Sequence, residues 1–163
     1  MIDHIIEVFD SQGWAFDRIP DHEVLEAAFD AHHTRVPLHV QAFPNLNAVT
    51  IVSRSTLSVS PSHFLPASEL LWRSNKTLTV GNFELEPDTG ATLYRITNLF
   101  PPGPPYAPII TGLVHAAIAE MDRLTPYLAI VLRTPPEGLA ELSIAKLLQD
   151  ESLIPPPPEA TSN

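Results

Sequence analysis

The stretch VGNFELEPDTGATLYRI, residues 80–96, carries the clearest local structural signal in the sequence. Apolar and polar side chains alternate on both sides of Pro87-Asp88-Thr89-Gly90. Proline presets the backbone of a turn, aspartate hydrogen-bonds its own main chain, and glycine adopts the positive φ that closes a hairpin. The stretch therefore predicts two antiparallel strands, 80–86 and 91–96, as part of the sheet on which the fold is built.

Three segments upstream of the hairpin also alternate between apolar and polar residues. The residues expected on the inner face of the first two strands are Leu25, Ala27 and Phe29, followed by Val36, Leu38, Val40 and Ala42. Residues 48–54 are rich in β-branched side chains and predict a third strand. Short connections between the three segments indicate an antiparallel meander. Because Pro37 cannot donate to a ladder, its strand is expected at a sheet edge or at a bulge.

Apolar residues at spacings of three and four predict the helices. The first covers Ile2 to Phe9 and closes at Gly13, and the second carries Leu65 to Trp72 and ends near Asn75, with Ser62 or Ser68 as its cap. A long helix starts at Pro108, and Pro126 ends or kinks it before a packed continuation to residue 132. A last helix is predicted for residues 136–149. The proline-rich segment 101–105 is expected to be a loop.

The resulting architecture is an α+β fold, with an antiparallel sheet of about five strands flanked by helices in the order α-βββ-α-ββ-α-α. We expect one domain over residues 1–154, because 163 residues suit a single core. Residues 155–163 begin with four prolines and continue with polar residues, which predicts a disordered tail.

The charge and composition of the chain exclude several classes of function. Nineteen acidic residues against nine basic ones give a formal charge of -10, which opposes binding to nucleic acid and to anionic membranes. There is no cysteine, so thiolate metal sites and cysteine nucleophiles are excluded. The first residues lack the basic and apolar pattern of a signal peptide, and no apolar run has the length of a membrane span. We therefore expect a cytoplasmic protein.

The motifs that usually carry catalysis are missing from the sequence. The serines between Ser53 and Ser62 lack a Gly-x-Ser-x-Gly context, and the six glycines are too dispersed for a phosphate loop. His32, His33 and His39 form the best candidate metal cluster, but no carboxylate stands at a recognisable ligand spacing. The sequence thus predicts no catalytic residue, no cofactor and no metal site. Two alternatives stay open: a histidine-dependent metal-binding hydrolase, and a structural subunit of a larger assembly.

The second face of the predicted sheet is half apolar. Val24, Ala28, Thr50 and Val52 lie opposite the positions assigned to the core. Such a face is typical of a dimer interface or of a client-binding surface, although the final helix could equally cover it. Within the meander, the residues predicted to contact a partner are Val40, Phe43 and Val52.

Four motifs between residues 70 and 132 resemble the YbjN family, whose members are described as bacterial sensory transduction regulators. They are LLWRSN at residues 70–75, VGNFEL at 80–85, TLYR at 92–95, and IAEMDR at 118–123 followed by Tyr127. The order of the predicted elements is also similar to the type III secretion chaperone-like fold. The proline-rich connector and the extension at residues 136–163 depart from the family pattern.

The resemblance implies a chaperone-like fold, dimerisation, no known catalytic residues and a binding role. Together with the residue patterns, it predicts a non-enzymatic, acidic protein-binding module that is chaperone-like or regulatory. Its expected partner is a protein client or itself, in a homodimer, and neither a nucleic acid nor a membrane.

Overall fold

The computed structural model of the chain describes residues 1–154. Its helices and strands are α1 Ile2–Gln12, β1 Phe16–Arg18, β2 Val24–Asp30, β3 Arg35–Phe43, β4 Ala48–Ser58, α2 Phe64–Asn75, β5 Asn82–Leu85, β6 Ala91–Leu99, α3 Ala107–Arg133 and α4 Ile144–Leu147. This order confirms the predicted α+β class. Within the described residues, no helix combines the length and the apolar composition needed to cross a bilayer. The predicted tail, residues 155–163, lies outside the described part of the chain.

The six strands form a sheet in the order β1-β2-β3-β4-β6-β5, and every neighbouring pair is antiparallel. The predicted meander corresponds to β2, β3 and β4, and the predicted hairpin to β5 and β6. The sequence predicts about five strands, one fewer, because β1 has only three residues, too few to show alternation. Gly90 adopts a φ of +68° in the turn between β5 and β6, as the Pro-Asp-Thr-Gly signal indicates.

The inner face of the sheet contains the predicted core residues and packs against α3. In β3, the side chains of Val36, Leu38, Val40 and Ala42 are all buried. Ser53, which pairs with Leu38 across β3 and β4, donates its hydroxyl to the carbonyl of Ala117 in α3 at 3.0 Å. This hydrogen bond joins α3 to the inner face of the sheet, against which the buried residues of α3 pack.

The edge position predicted for the strand that contains Pro37 is wrong. This strand, β3, lies between β2 and β4 in the interior of the sheet. Pro37 pairs with Ala28 of β2, but the pairing of β3 with β4 starts only at Leu38 and Ser53. The proline therefore lies one residue beyond the end of the β3–β4 ladder, where a missing N–H donor disturbs little.

The first helix closes as the sequence predicts, and the second is capped differently. Gly13 follows α1 in the left-handed conformation, with a φ of 68°. No side chain caps α2, so the prediction of Ser62 or Ser68 as its cap is wrong. The hydroxyls of Ser60 and Ser62 instead lie 2.8 and 3.0 Å from Nδ1 of His63, which joins them to the imidazole.

The C-terminal third differs most from its prediction. The long helix α3 continues through Pro126 to Arg133, so the predicted continuation belongs to the same helix. The predicted helix over residues 136–149 is wrong, because this segment contains only a 3₁₀ turn and the four-residue α4. Gly138 disfavours helix, and Ser143 accepts the N–H of Lys146, a local bond that starts a new helix at that point.

An aromatic cluster joins α1 to the adjacent edge of the sheet. The ring of Phe9 meets the rings of Trp14 and Phe16 edge-on, with centroids 5.1 and 5.7 Å apart. Trp14 in turn contacts Phe29 of β2 at 5.5 Å. Such edge-to-face contacts stabilise the fold beyond the burial of the rings, so this cluster holds α1 on the inner side of the sheet.

Candidate binding surface

The face of the sheet that points away from α3 is the main candidate surface, and we call it the outer face. Its strand positions alternate with the buried ones, and Arg35, Pro37 and His39 of β3 are all exposed. The six strands contain 43 residues. At about 3.4 Å per residue and about 4.8 Å between strands they cover roughly 700 Å², near the area that one partner contributes to a stable interface. The outer face is therefore large enough to bind a folded protein.

One end of the outer face is apolar. Phe43, Ala48 and Leu99 form a row across β3, β4 and β6, and the side chain of Leu99 is 71% exposed. Leu46, in the turn between β3 and β4, is 66% exposed. Two leucines this exposed beside a half-buried phenylalanine form the kind of patch on which partners bind.

The middle of the outer face is polar and nearly uncharged. The hydroxyls of Thr50 and Thr97 lie 2.8 Å apart across β4 and β6, so they satisfy each other. Next to them, Val52 is half-buried and takes part in a groove of about 320 Å³ whose walls also include Leu93 and the charged residues Glu26 and Arg54. The groove therefore offers both apolar and charged side chains to a partner.

The far end of the outer face is charged. Arg95 donates two hydrogen bonds to the carboxylate of Glu84, at 2.9 and 3.0 Å. These bonds lower the pKa of Glu84 below its usual value against the opposing effect of burial, and they raise the pKa of Arg95. Arg54 is exposed and forms no ion pair with another described residue.

Acidic groups only slightly outnumber basic groups on the outer face. They are the carboxylates of Asp17, Glu26, Asp30, Glu84 and Glu86 and the guanidinium groups of Arg35, Arg54 and Arg95. Three positive charges minus five negative ones give -2, out of -10 for the whole chain. The other surfaces thus carry most of the negative charge.

The structure separates the three residues predicted to contact a partner. Phe43 and Val52 lie on the outer face, where both are half-buried. Val40 lies on the inner face between Leu25 and Ile51, is fully buried, and is therefore removed from the candidate surface. Leu99 was missed because the predicted strand stopped at residue 96, although the alternation continues to residue 99.

The histidines proposed for a metal site do not form one. His39 lies on the outer face with Nδ1 3.7 Å from the carboxylate of Glu26. His32 and His33 lie in the turn after β2, where the backbone N–H of His33 donates to the buried carboxylate of Asp122 at 2.6 Å. Across residues 1–154, no three histidine or acidic side chains come together as metal ligands would.

The alternative in which the final helix covers the second face does not match the structure. The short helix α4 packs against α2, and α3 lies on the inner face. The outer residues of β3 at the charged end are exposed. Of the four residues predicted for this face, Ala28 and Val52 are half-buried, whereas Val24 and Thr50 are buried. The second face is thus a partly exposed surface of the described domain.

A six-stranded antiparallel sheet that packs against α3 on one face, in the element order described above, defines an α+β protein. A profile of the YbjN family, described as "Putative bacterial sensory transduction regulator", matches residues 2–107, about two thirds of the chain. The chain belongs to this family. The match includes β1 to β6 and ends at the first residue of α3, so the motif noted at residues 118–127 lies outside it.

A solved structure gives the same result for the fold. The crystal structure of YbjN from E. coli, titled "a putative transcription regulator", aligns with a TM-score of 0.57 and 13% sequence identity. The alignment covers 86% of this chain and 92% of that one. At this identity the likeness shows a shared fold. A comparison with curated protein sequences gives no significant match.

Proposed function

We propose that this chain is a non-enzymatic regulatory module of the cytoplasm that binds another protein through the outer face of its sheet. The observation that supports the proposal is the open outer face, with exposed Leu99 and Leu46 at its apolar end. The description of the family as a regulator agrees with a binding role. In this proposal, residues 1–154 act as one domain.

The edges of the sheet favour binding by the face rather than by strand addition. Asn75 of α2 donates to the carbonyl of Phe83 at 3.0 Å and accepts its N–H at 2.7 Å, so both outward-pointing groups of this β5 residue are satisfied. The opposite edge strand, β1, has three residues. A partner therefore finds little free backbone at either edge and more side-chain area on the outer face.

A second copy of this chain is the partner that the charges favour. Two chains that each carry a charge of -10 repel when strongly acidic surfaces face each other. The outer face, with a balance of -2, is where two copies approach with the least repulsion. Arg54 on one copy could then meet a carboxylate of the other copy. In the other form of the proposal, the partner is a client protein whose surface carries a similar mixture of positive and negative charges.

The test compares two leucines that are both exposed but lie on different surfaces. Leu99→Asp places a charge at the apolar end of the outer face, whereas Leu65→Asp does so on α2, where Leu65 is 80% exposed. Because neither side chain belongs to the core, both variants should fold. Light scattering at tens of micromolar is expected to show a dimer for the wild type and L65D, and a monomer for L99D.

Two results decide between the forms of the proposal. A monomeric wild type would rule out self-association. The client form is then tested by quantitative mass spectrometry of proteins retained from native lysate. Retention by the wild type, with loss in L99D, is expected for clients that bind the outer face. Equal retention by L99D and the wild type would contradict binding through the outer face.

A further inference from the structure

The outward side of α2 carries two large apolar side chains that the proposed function does not use. Leu65 is 80% exposed and Trp72 is 58% exposed, although both stand in a helix whose other side is buried. Seven residues apart, they lie two turns from each other on the same side of the helix. The ammonium of Lys76 lies over the Trp72 ring, 4.8 Å from its centre, in a cation–π contact with the indole.

A groove continues from Leu65 towards the turn between β5 and β6. It has a volume of about 490 Å³. Its apolar walls are formed by Val59, Pro61, Phe64, Leu65 and Pro87. We call this groove and the exposed side of α2, from Leu65 to Lys76, the α2 surface. An exposed tryptophan beside an apolar groove is the arrangement with which proteins bind proline-rich segments in the polyproline II conformation.

The sequence itself contains such a segment. Residues 155–163 read PPPPEATSN, with four consecutive prolines followed by Glu159. Consecutive prolines lose little conformational entropy on binding because their backbone is already restricted. Glu159 follows the prolines directly, and its carboxylate is complementary in charge to Lys76 on the α2 surface.

The last described helix, α4, lies against α2, the helix that carries the α2 surface, and the segment follows it after seven residues. The hydroxyl of Tyr127 donates to the carbonyl of Asp150 at 3.3 Å. Leu153 packs against the core. From there, nine residues in the polyproline II conformation extend to about 28 Å, whereas the twelve residues of α2 cover about 18 Å.

We propose that the α2 surface is a binding site for proline-rich segments and that residues 155–163 of the same chain occupy it. The prolines lie against Trp72 and in the apolar groove, and Glu159 lies near Lys76. The tail then shields the α2 surface, and a proline-rich segment of another protein has to displace it. This site is separate from the outer face, so it does not depend on the function proposed above.

Tryptophan fluorescence tests the proposal, because the chain has two tryptophans. In a Trp14→Phe background, only Trp72 reports, and the full chain is compared with a chain that stops after Ile154. The full chain is expected to emit at shorter wavelength, with a quenching constant for acrylamide roughly twofold lower, because the prolines cover the indole. Replacing Pro155 to Pro158 by serine should give the values of the shortened chain. Adding the free peptide PPPPEATSN to the shortened chain should restore the protected values.

The controls separate the tail from other causes. Because Trp14 belongs to an aromatic cluster, the Nε1–H resonance of Trp72 in otherwise unmodified chains provides a second measurement, and it should shift on removal of the tail. L99D, on the outer face, should leave the protection unchanged. Equal quenching and equal resonances with and without the tail would overturn the proposal. Protection that disappears on dilution would show tail exchange between copies and overturn binding within one chain.

Discussion

Gly90 and Gly13 share one backbone conformation but differ in what surrounds them, which allows a matched prediction. Both have a φ of +68°, where an L-residue costs about 1–2 kcal/mol. A Cβ added at Gly13 meets nothing within 4 Å, whereas a Cβ at Gly90 would overlap the backbone carbonyl of Val59. That backbone is also held in place, because the N–H of Val59 donates to the carbonyl of Gly90 at 2.9 Å.

The alanine variants should therefore differ in stability. For Gly13→Ala we expect only the conformational cost of about 1–2 kcal/mol. For Gly90→Ala, forced displacement adds about 1–3 kcal/mol and a weakened hydrogen bond about 1 kcal/mol. The total of roughly 3–6 kcal/mol corresponds to a fall in Tm of about 2–4 °C for each kcal/mol. Urea unfolding followed by circular dichroism measures both variants, and equal losses would refute the role assigned to the contact between Gly90 and Val59.

Two further predictions concern the edge strand β5. Asn75→Ala removes both side-chain hydrogen bonds to the backbone of Phe83 and should lower the free energy of unfolding by about 1–3 kcal/mol. The control Asn98→Ala removes one exposed local hydrogen bond and should lower the free energy of unfolding by less than about 0.5 kcal/mol. Similar losses for the two variants in urea unfolding would argue against the edge contact. Glu84→Gln tests the ion pair with Arg95. Because the folded-state pKa of Glu84 is lowered, its stabilisation is present above the usual value of 4.5 and is lost as the pH falls through the folded-state value. The gap in urea midpoint between the wild type and E84Q should therefore shrink from neutral pH to about pH 3, and a constant gap would contradict this origin.

The parts of the fold that follow local rules were predictable from the sequence. Alternation gave the buried positions of β3 from Val36 to Ala42, and the Pro-Asp-Thr-Gly turn gave the hairpin with its positive φ at Gly90. The strand β1 was missed because it is paired by tertiary contacts, through Phe16 and Ala27, rather than marked by its own pattern. The predicted last helix failed because leucine spacing does not report the capping by Ser143 that divides the segment.

The candidate surface was only partly predictable, because the face of one strand depends on its register with the next. Val40 and Phe43 differ by three positions, so an extended strand must place them on opposite faces. The structure assigns Phe43 to the outer face through its pairing with Ala48, and Val52 to the same face through its pairing with His39. Such registers are long-range contacts, which periodicity within one segment cannot supply. Likewise, the exposure of the Leu99 side chain depends on whether another element packs on the outer face.

The edges of the sheet explain why both proposals place partners on side-chain surfaces. An unprotected edge would allow backbone pairing with many sequences and would invite aggregation. Asn75 removes this possibility at β5 by occupying both backbone groups of Phe83, and it does so from the last residue of α2. The same helix therefore closes the edge with its inner side and presents Leu65 and Trp72 with its outer side. If α2 moved away from β5, the edge of the sheet would open, and at the same time the α2 surface would lose its groove. Binding at the α2 surface should thus slow hydrogen exchange at the Phe83 amide, whereas binding at the outer face should not.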